Sequence, residues 1–166
     1  MPQILRDPKL LHPILLDCHT RIQKQILGKY NCPLRLFETG RLVERQAVLV
    51  RKGKSTTLVS RHFFRIDTEP KVLSTAVDYV YHQGHWSWDL RKASIKAWYE
   101  LFGELVLDIC PELDWGRNNR YRADHNHFEL KQEILEAHKI VTLSEQEEAD
   151  IRAYLSKYTG IQGTDG

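Results

Sequence analysis

Hydrophobic spacing changes several times along the chain and divides it into segments. Apolar residues recur three or four positions apart in Leu10–Leu27, Arg41–Lys52 and Ala93–Cys110, which predicts three amphipathic helices. Runs rich in β-branched, aromatic and other apolar residues predict strands at Leu34–Glu38 and within Val72–Tyr81. This mixture of helices and strands indicates an α+β fold, with helices packed on a small antiparallel sheet.

Two further elements are predicted near the end of the chain. Residues 127–130 fit a short strand, and Ser144 followed by Glu147 is a capping-box signature that opens a helix over about 144–158. No repeat and no linker interrupts the sequence. We therefore expect one domain over 1–166.

The two termini carry weaker patterns than the rest of the chain. Met1–Lys9 is expected to be a loose lead-in, and Gly160–Gly166 a frayed tail.

Composition and charge exclude several classes of protein. The chain has 42% hydrophobic and 28% charged residues and a net charge of +2, which suits a globular protein and not a dedicated nucleic-acid binder. Three widely spaced cysteines predict reduced thiols rather than a disulfide framework. The sequence begins without a signal-peptide pattern, and no apolar run approaches the ~18 residues of a membrane span. We expect a cytoplasmic protein without membrane insertion.

The segment from Asp124 to Glu129 holds the densest group of reactive side chains. It contains two imidazoles, two carboxylates and a carboxamide. In a strand, His127 and Glu129 would point to one face while Phe128 pointed to the core. The segment is therefore a candidate half of a metal site.

The other half is sought upstream, at His62 and Asp78. A carboxylate within the apolar run around Asp78 is costly to bury unless it is paired or bound to a cation. An exposed strand edge or an arginine partner explains Asp78 equally well, and His62 is one of eight histidines. Two histidines and one carboxylate would form an open three-ligand zinc site, but spacing alone does not show that they converge.

Several short motifs follow one another within a core of about residues 34–130. They are Glu38-Thr39-Gly40-Arg41, Lys52-Gly53-Lys54-Ser55, Ser60-x-His62, Ala76-Val77-Asp78, Trp115-Gly116 and Asp124-x-x-His127-Phe128-Glu129. In order and type they resemble phage-type zinc peptidases of peptidoglycan. That family comprises D-alanyl-D-alanine carboxypeptidases and L-alanyl-D-glutamate endopeptidases, and it is grouped with lysostaphin-like and hedgehog-like folds.

The resemblance implies a role for each matching residue. The implied zinc ligands are His62, Asp78 and His127. Asp124 would be the general base, and Arg41 would steady the substrate carbonyl and its oxyanion. Ser60 would contact the substrate. Glu129 would orient the imidazole of a ligating histidine through its free N–H.

One spacing departs from the family pattern. Asp78 follows His62 by 16 positions, about nine more than the family has, although an insertion in a surface loop costs little closure entropy. If the extra residues displaced His62, then His82, His85 or His125 would be the substitute ligand.

The implied function is hydrolysis of peptidoglycan stem peptides by a monomeric phage or prophage endolysin. Such an enzyme would accumulate in the host bacterial cytoplasm and reach the wall after membrane permeabilisation. The L-Ala–D-Glu bond is favoured, and D,D-bonds remain open. Two other functions also remain open: a non-catalytic zinc-bearing module that binds the wall, and an HNH-like nuclease built on His125-Asn126-His127.

Overall fold

A computed structural model describes residues 2–120 and 122–160 of the chain. Its α-helices are α1 (Pro13–Ile22), α2 (Val43–Arg51), α3 (Ala93–Ile109), α4 (Gln132–Ala137) and α5 (Glu145–Thr159). Its strands are β1 (Leu34–Glu38), β2 (Ala76–His82), β3 (Trp86–Ser87), β4 (Leu113–Trp115) and β5 (His127–Leu130). A π-helical turn, Gln23–Leu27, extends α1. The predicted α+β fold with one antiparallel sheet is confirmed.

The sheet has the strand order β1-β2-β5-β4, and β3 pairs with the end of β2. Every pairing is antiparallel. Asp78 in β2 lies opposite Glu38 of β1 on one side and opposite His127 of β5 on the other. Since side chains alternate between the faces of a strand, Asp78 and His127 project from the same face, which we call the site face.

The opposite face of the sheet is the core. Val77 and Tyr79 of β2 and Phe128 of β5 are fully buried there, together with Leu15 of α1 and Phe102 of α3. A smaller cluster joins α2 to α5 through Ala47, Val50, Leu58 and Leu155. Burying these apolar side chains contributes about 1.5–3 kcal/mol for each large one and fixes the sheet whose other face carries the site.

The structure corrects two expectations from the sequence. The lead-in is not loose, because Leu5 bridges to Gly40 and its carbonyl accepts the amide of Thr39 at 2.8 Å. The strand predicted from Val72 begins only at Ala76, since Val72 pairs instead with Arg65 inside a loop. The predicted tail lies outside the described residues apart from Gly160.

None of the described helices combines the length and apolar composition that a membrane crossing needs.

Candidate metal centre

Three side chains from separate parts of the chain converge on the site face. Nδ1 of His127 lies 3.0 Å from Oδ1 of Asp78. Nε2 of His62 lies 3.3 Å from the same oxygen and 3.4 Å from Nδ1 of His127. Each residue therefore offers one donor atom to a common triangle.

The triangle has the dimensions of one face of a zinc tetrahedron. Zinc lies about 2.0–2.2 Å from histidine nitrogens and carboxylate oxygens, so neighbouring ligand atoms are separated by about 3.3–3.6 Å. The observed separations of 3.3 and 3.4 Å fall within that range, and the third, 3.0 Å, is about 0.3 Å shorter. Two imidazoles and one carboxylate are also ligand types that zinc accepts. The residues present therefore fit a zinc ion.

The charges around the triangle also favour a cation. Burial works against ionisation of Asp78, but the two imidazoles outweigh it and hold the pKa of its carboxyl well below its usual range. Burial likewise opposes a charged His127, yet hydrogen bonds with Asp78 and Glu129 raise the pKa of His127 to about 10. The carboxylates of Asp78 and Glu129 thus favour a positive charge at this position.

Glu129 orients the His127 ring. Its Oε2 lies 3.0 Å from Nε2 of His127, so a proton on Nε2 leaves Nδ1 free to face the triangle. This arrangement is common behind histidines that bind metals. The second nitrogen of His62, Nδ1, is buried and has no partner among the described residues.

The long insertion after His62 does not displace His62 from the triangle. Residues 63–75 fold back as a hairpin-like loop in which Arg65 and Val72 exchange hydrogen bonds of 2.7 and 2.8 Å. Thr75 then donates to the carbonyl of Arg61 at 3.0 Å, which closes the neck of the loop. The insertion therefore forms its own internal pairing, and His62 stays at the triangle, 1% exposed.

The alternative histidine ligands lie elsewhere. The His82 ring packs on Trp86 with a centroid separation of 4.5 Å. Nε2 of His125 lies 3.2 Å from Oε1 of Glu100 on α3. His85, the third alternative, is exposed between β2 and β3. None of the three joins the triangle.

Arg41 lies beside the triangle and is held by a buried network. Its Nε and Nη2 donate to Oε2 of Glu38 at 3.2 and 2.5 Å, and Nη1 donates to Gln46 at 2.9 Å. Two longer contacts reach Oδ2 of Asp78 at 3.5 Å and the hydroxyl of Ser60 at 3.4 Å. Arg41 therefore joins the metal centre to Ser60, whose hydroxyl also accepts the amide of His62 at 3.2 Å.

Asp124 lies in the turn before β5, next to His127. If Gly116 carried a Cβ atom, that atom would be 3.2 Å from Cβ of Asp124 and 3.1 Å from Cβ of His127. Although the Asp124 side chain is exposed, partial desolvation by the surrounding protein and the charge of Asp78 raise the pKa of its carboxyl. A carboxylate with a raised pKa is suited to accepting a proton.

The sequence did not predict how Trp115 packs between Phe128 of β5 and Gly103 of α3. The ring of Trp115 stacks on Phe128 with an interplanar angle of 4°, and its Nε1 donates to the carbonyl of His125 at 2.9 Å. Gly103 of α3 makes room for this ring, since a Cβ there would lie 2.2 Å from it. The close packing of α3 against Trp115 of β4 explains why a residue with a side chain does not fit at Gly103.

A second group of potential metal ligands among the described residues is Cys18, Cys110 and Glu112. Arg21 donates to Glu112 at 2.8 Å and to the sulfur of Cys18 at 3.4 Å. A fixed cation therefore already compensates this group. All three cysteines of the chain are buried free thiols.

Comparison with solved structures shows a similarity to a known peptidase. The structure is similar to the crystal structure of the L-Ala D-Glu endopeptidase ChiX from Serratia marcescens, with a TM-score of 0.55 and 26% sequence identity. The match covers 79% of this chain and 86% of that chain. No family model and no curated protein sequence matches the chain. The similarity agrees with the α+β fold and with the resemblance to peptidoglycan peptidases found in the motifs.

Proposed function

We propose that the chain is a zinc-dependent peptidase that hydrolyses a stem-peptide bond of bacterial peptidoglycan, with the L-Ala–D-Glu bond favoured. The convergence of His62, Asp78 and His127 at 3.0–3.4 Å carries the proposal. The similarity to an L-Ala D-Glu endopeptidase supports the class of substrate.

The proposed reaction divides the work between the metal and the protein. When bound, zinc supplies a Lewis acid that makes water more acidic and polarises a carbonyl group. The carboxylate of Asp124 takes a proton from the attacking water and returns it to the leaving amine nitrogen. A positioned acid–base group of this kind contributes about 10²–10⁴-fold to the rate.

Arg41 and Ser60 flank the same centre. The guanidinium of Arg41 brings a fixed positive charge to within 3.5 Å of Asp78, close to where negative charge develops on the substrate. Its strong bonds go to Glu38 and Gln46, so only the long contacts to Asp78 and Ser60 are free to exchange for a substrate oxygen. We propose that Arg41 stabilises the oxyanion and that the Ser60 hydroxyl contacts the peptide.

The direct test uses purified peptidoglycan and mass spectrometry of the released fragments. Wild-type protein with zinc is expected to create a new amino group on D-glutamate. Asp124→Asn is expected to keep zinc and to lose about 10²–10⁴-fold in rate. An Asp124→Asn protein with undiminished turnover would remove Asp124 from the mechanism, and absence of any cleavage by the zinc-loaded wild type would refute the proposed activity.

The phage-type motifs suggest a role for this peptidase in lysis of a bacterial host. We propose an endolysin that accumulates in the host bacterial cytoplasm and acts in host lysis after the membrane is permeabilised. Expression in a bacterium is expected to cause lysis only when a membrane-permeabilising agent is added. Lysis without the agent, or none with it, would contradict this role.

A further inference from the structure

Arg61 stands between Ser60 and the ligand His62 and takes no part in the site described above. Its carbonyl accepts the amide of Thr75 at the neck of the insertion loop, which fixes its backbone. Its side chain is half-buried and carries a charge close enough to Glu129 for the two groups to interact. A guanidinium is therefore held at the edge of the metal centre.

The two terminal nitrogens of this guanidinium are poorly satisfied. Nη2 donates to the neutral amide oxygen of Gln132 at 3.1 Å, in an exposed contact. Nη1 is buried and has no partner among the described residues. A buried unpaired donor is unfavourable, and two adjacent N–H groups form the fork that binds a carboxylate in a bidentate manner.

Arg61 also opens onto a cleft of about 740 Å³. Its lining includes Ser60, Arg61 and Thr75, together with Gln132 of α4 and Arg152 of α5. Ser60 belongs to both the cleft and the contacts of the metal centre. The cleft and the candidate metal centre therefore meet at Ser60, and Arg61 is the next residue along the chain.

The favoured substrate brings a free carboxylate to this neighbourhood. In an L-Ala–D-Glu endopeptidase substrate, the glutamyl amine lies in the scissile bond and one glutamyl carboxyl continues the chain. The other carboxyl is left ionised, one residue from the reacting carbonyl. Replacing the Gln132 amide by this carboxylate would give Arg61 a charge-assisted partner in place of a neutral one.

We propose that Arg61 is a specificity-determining residue that binds the free carboxylate of the glutamyl residue on the leaving side of the scissile bond. This inference rests on the proposed peptidase function. The glutamyl residue would then occupy the cleft beside Arg61. The enzyme would prefer a substrate with the free glutamyl carboxylate over one with the corresponding carboxamide.

The test compares two synthetic stem peptides that differ only at this group, one with the free carboxylate and one with the carboxamide. Wild-type protein is expected to show a kcat/KM about 10- to 100-fold higher for the carboxylate, as the loss of one charged hydrogen bond implies. Arg61→Gln should lower kcat/KM for the carboxylate peptide to that of the carboxamide peptide, and Arg61→Lys should retain part of the preference. Zinc content should not change.

The matched control is Arg152→Gln, which removes the same charge from the α5 side chain that lines the same cleft. It is expected to leave the ratio of the two kcat/KM values unchanged. Equal loss on both peptides in Arg61→Gln, or no preference in the wild type, would overturn the role of Arg61 while leaving the peptidase function intact. If neither peptide is cleaved by the zinc-loaded wild type, the proposed function itself fails and the inference fails with it.

Discussion

Gly116 lies so close to Asp124 and His127 that a methyl group at this position tests the geometry of the site. The added Cβ would lie 2.6 Å from the carbonyl oxygen of Asp124 and 3.1 Å from Cβ of His127. Comfortable contacts between such atoms are about 3.5–4.0 Å. In Gly116→Ala the turn that carries Asp124 must therefore move by several tenths of an ångström to about 1 Å.

The expected effects of Gly116→Ala differ for binding, chemistry and stability. A misplacement of about 1 Å commonly costs about 10²-fold in rate, so kcat should fall by that order. Zinc should stay bound at one ion per chain, because the Cβ of His127 needs to shift less than the Asp124 carbonyl. Crowding a packed turn should lower the free energy of unfolding by about 1–3 kcal/mol.

The assay is steady-state hydrolysis of a stem peptide, with zinc content and thermal unfolding measured on the same samples. Gly53→Ala is the matched control, because its φ of +64° disfavours a side chain while no atom lies within 4 Å of the new Cβ. That variant should lose about 1–2 kcal/mol of stability and keep its kcat below its melting temperature. A Gly116→Ala protein with wild-type kcat would refute the placement of Asp124.

Three further substitutions test the supports of the site. Glu129→Gln should weaken zinc binding by about 10–100-fold in a chelator competition, because the His127 ring loses its charged partner, and unchanged affinity would contradict this role. Glu38→Ala leaves Arg41 and Arg45 without their shared carboxylate and should lower the free energy of unfolding by about 3–5 kcal/mol in chemical denaturation. A loss below about 1 kcal/mol would show that these ion pairs contribute no more than exposed ones. Gly103→Ala should destabilise the fold by at least about 1–3 kcal/mol, because its Cβ would overlap the Trp115 ring, and an unaltered melting curve would show that this packing is loose.

Elements with local signals were predictable from the sequence. Ser144 and Glu147 make both bonds of the predicted capping box, at 3.1 and 2.8 Å, because these groups lie within one helical turn. The alternation that placed Phe128 in the core and His127 on the other face is likewise a property of one strand.

Contacts between distant segments were not predictable in the same way. The 16-position spacing from His62 to Asp78 left the ligand in doubt, and only the bond from Thr75 to Arg61 shows that the inserted loop closes behind His62. The motif around Arg41 also did not reveal that Glu38 and Gln46 take its strongest hydrogen bonds. These outcomes depend on which side chains meet in space, and spacing along the chain does not determine that.

The central claim is that His62, Asp78 and His127 hold one zinc ion. Anomalous diffraction at the zinc edge from a crystal of the zinc-loaded protein tests it most directly. The account predicts one strong peak about 2.0–2.2 Å from Nε2 of His62, Oδ1 of Asp78 and Nδ1 of His127. A triangle without a peak, or a single peak at the cysteine group beside Arg21, would contradict it.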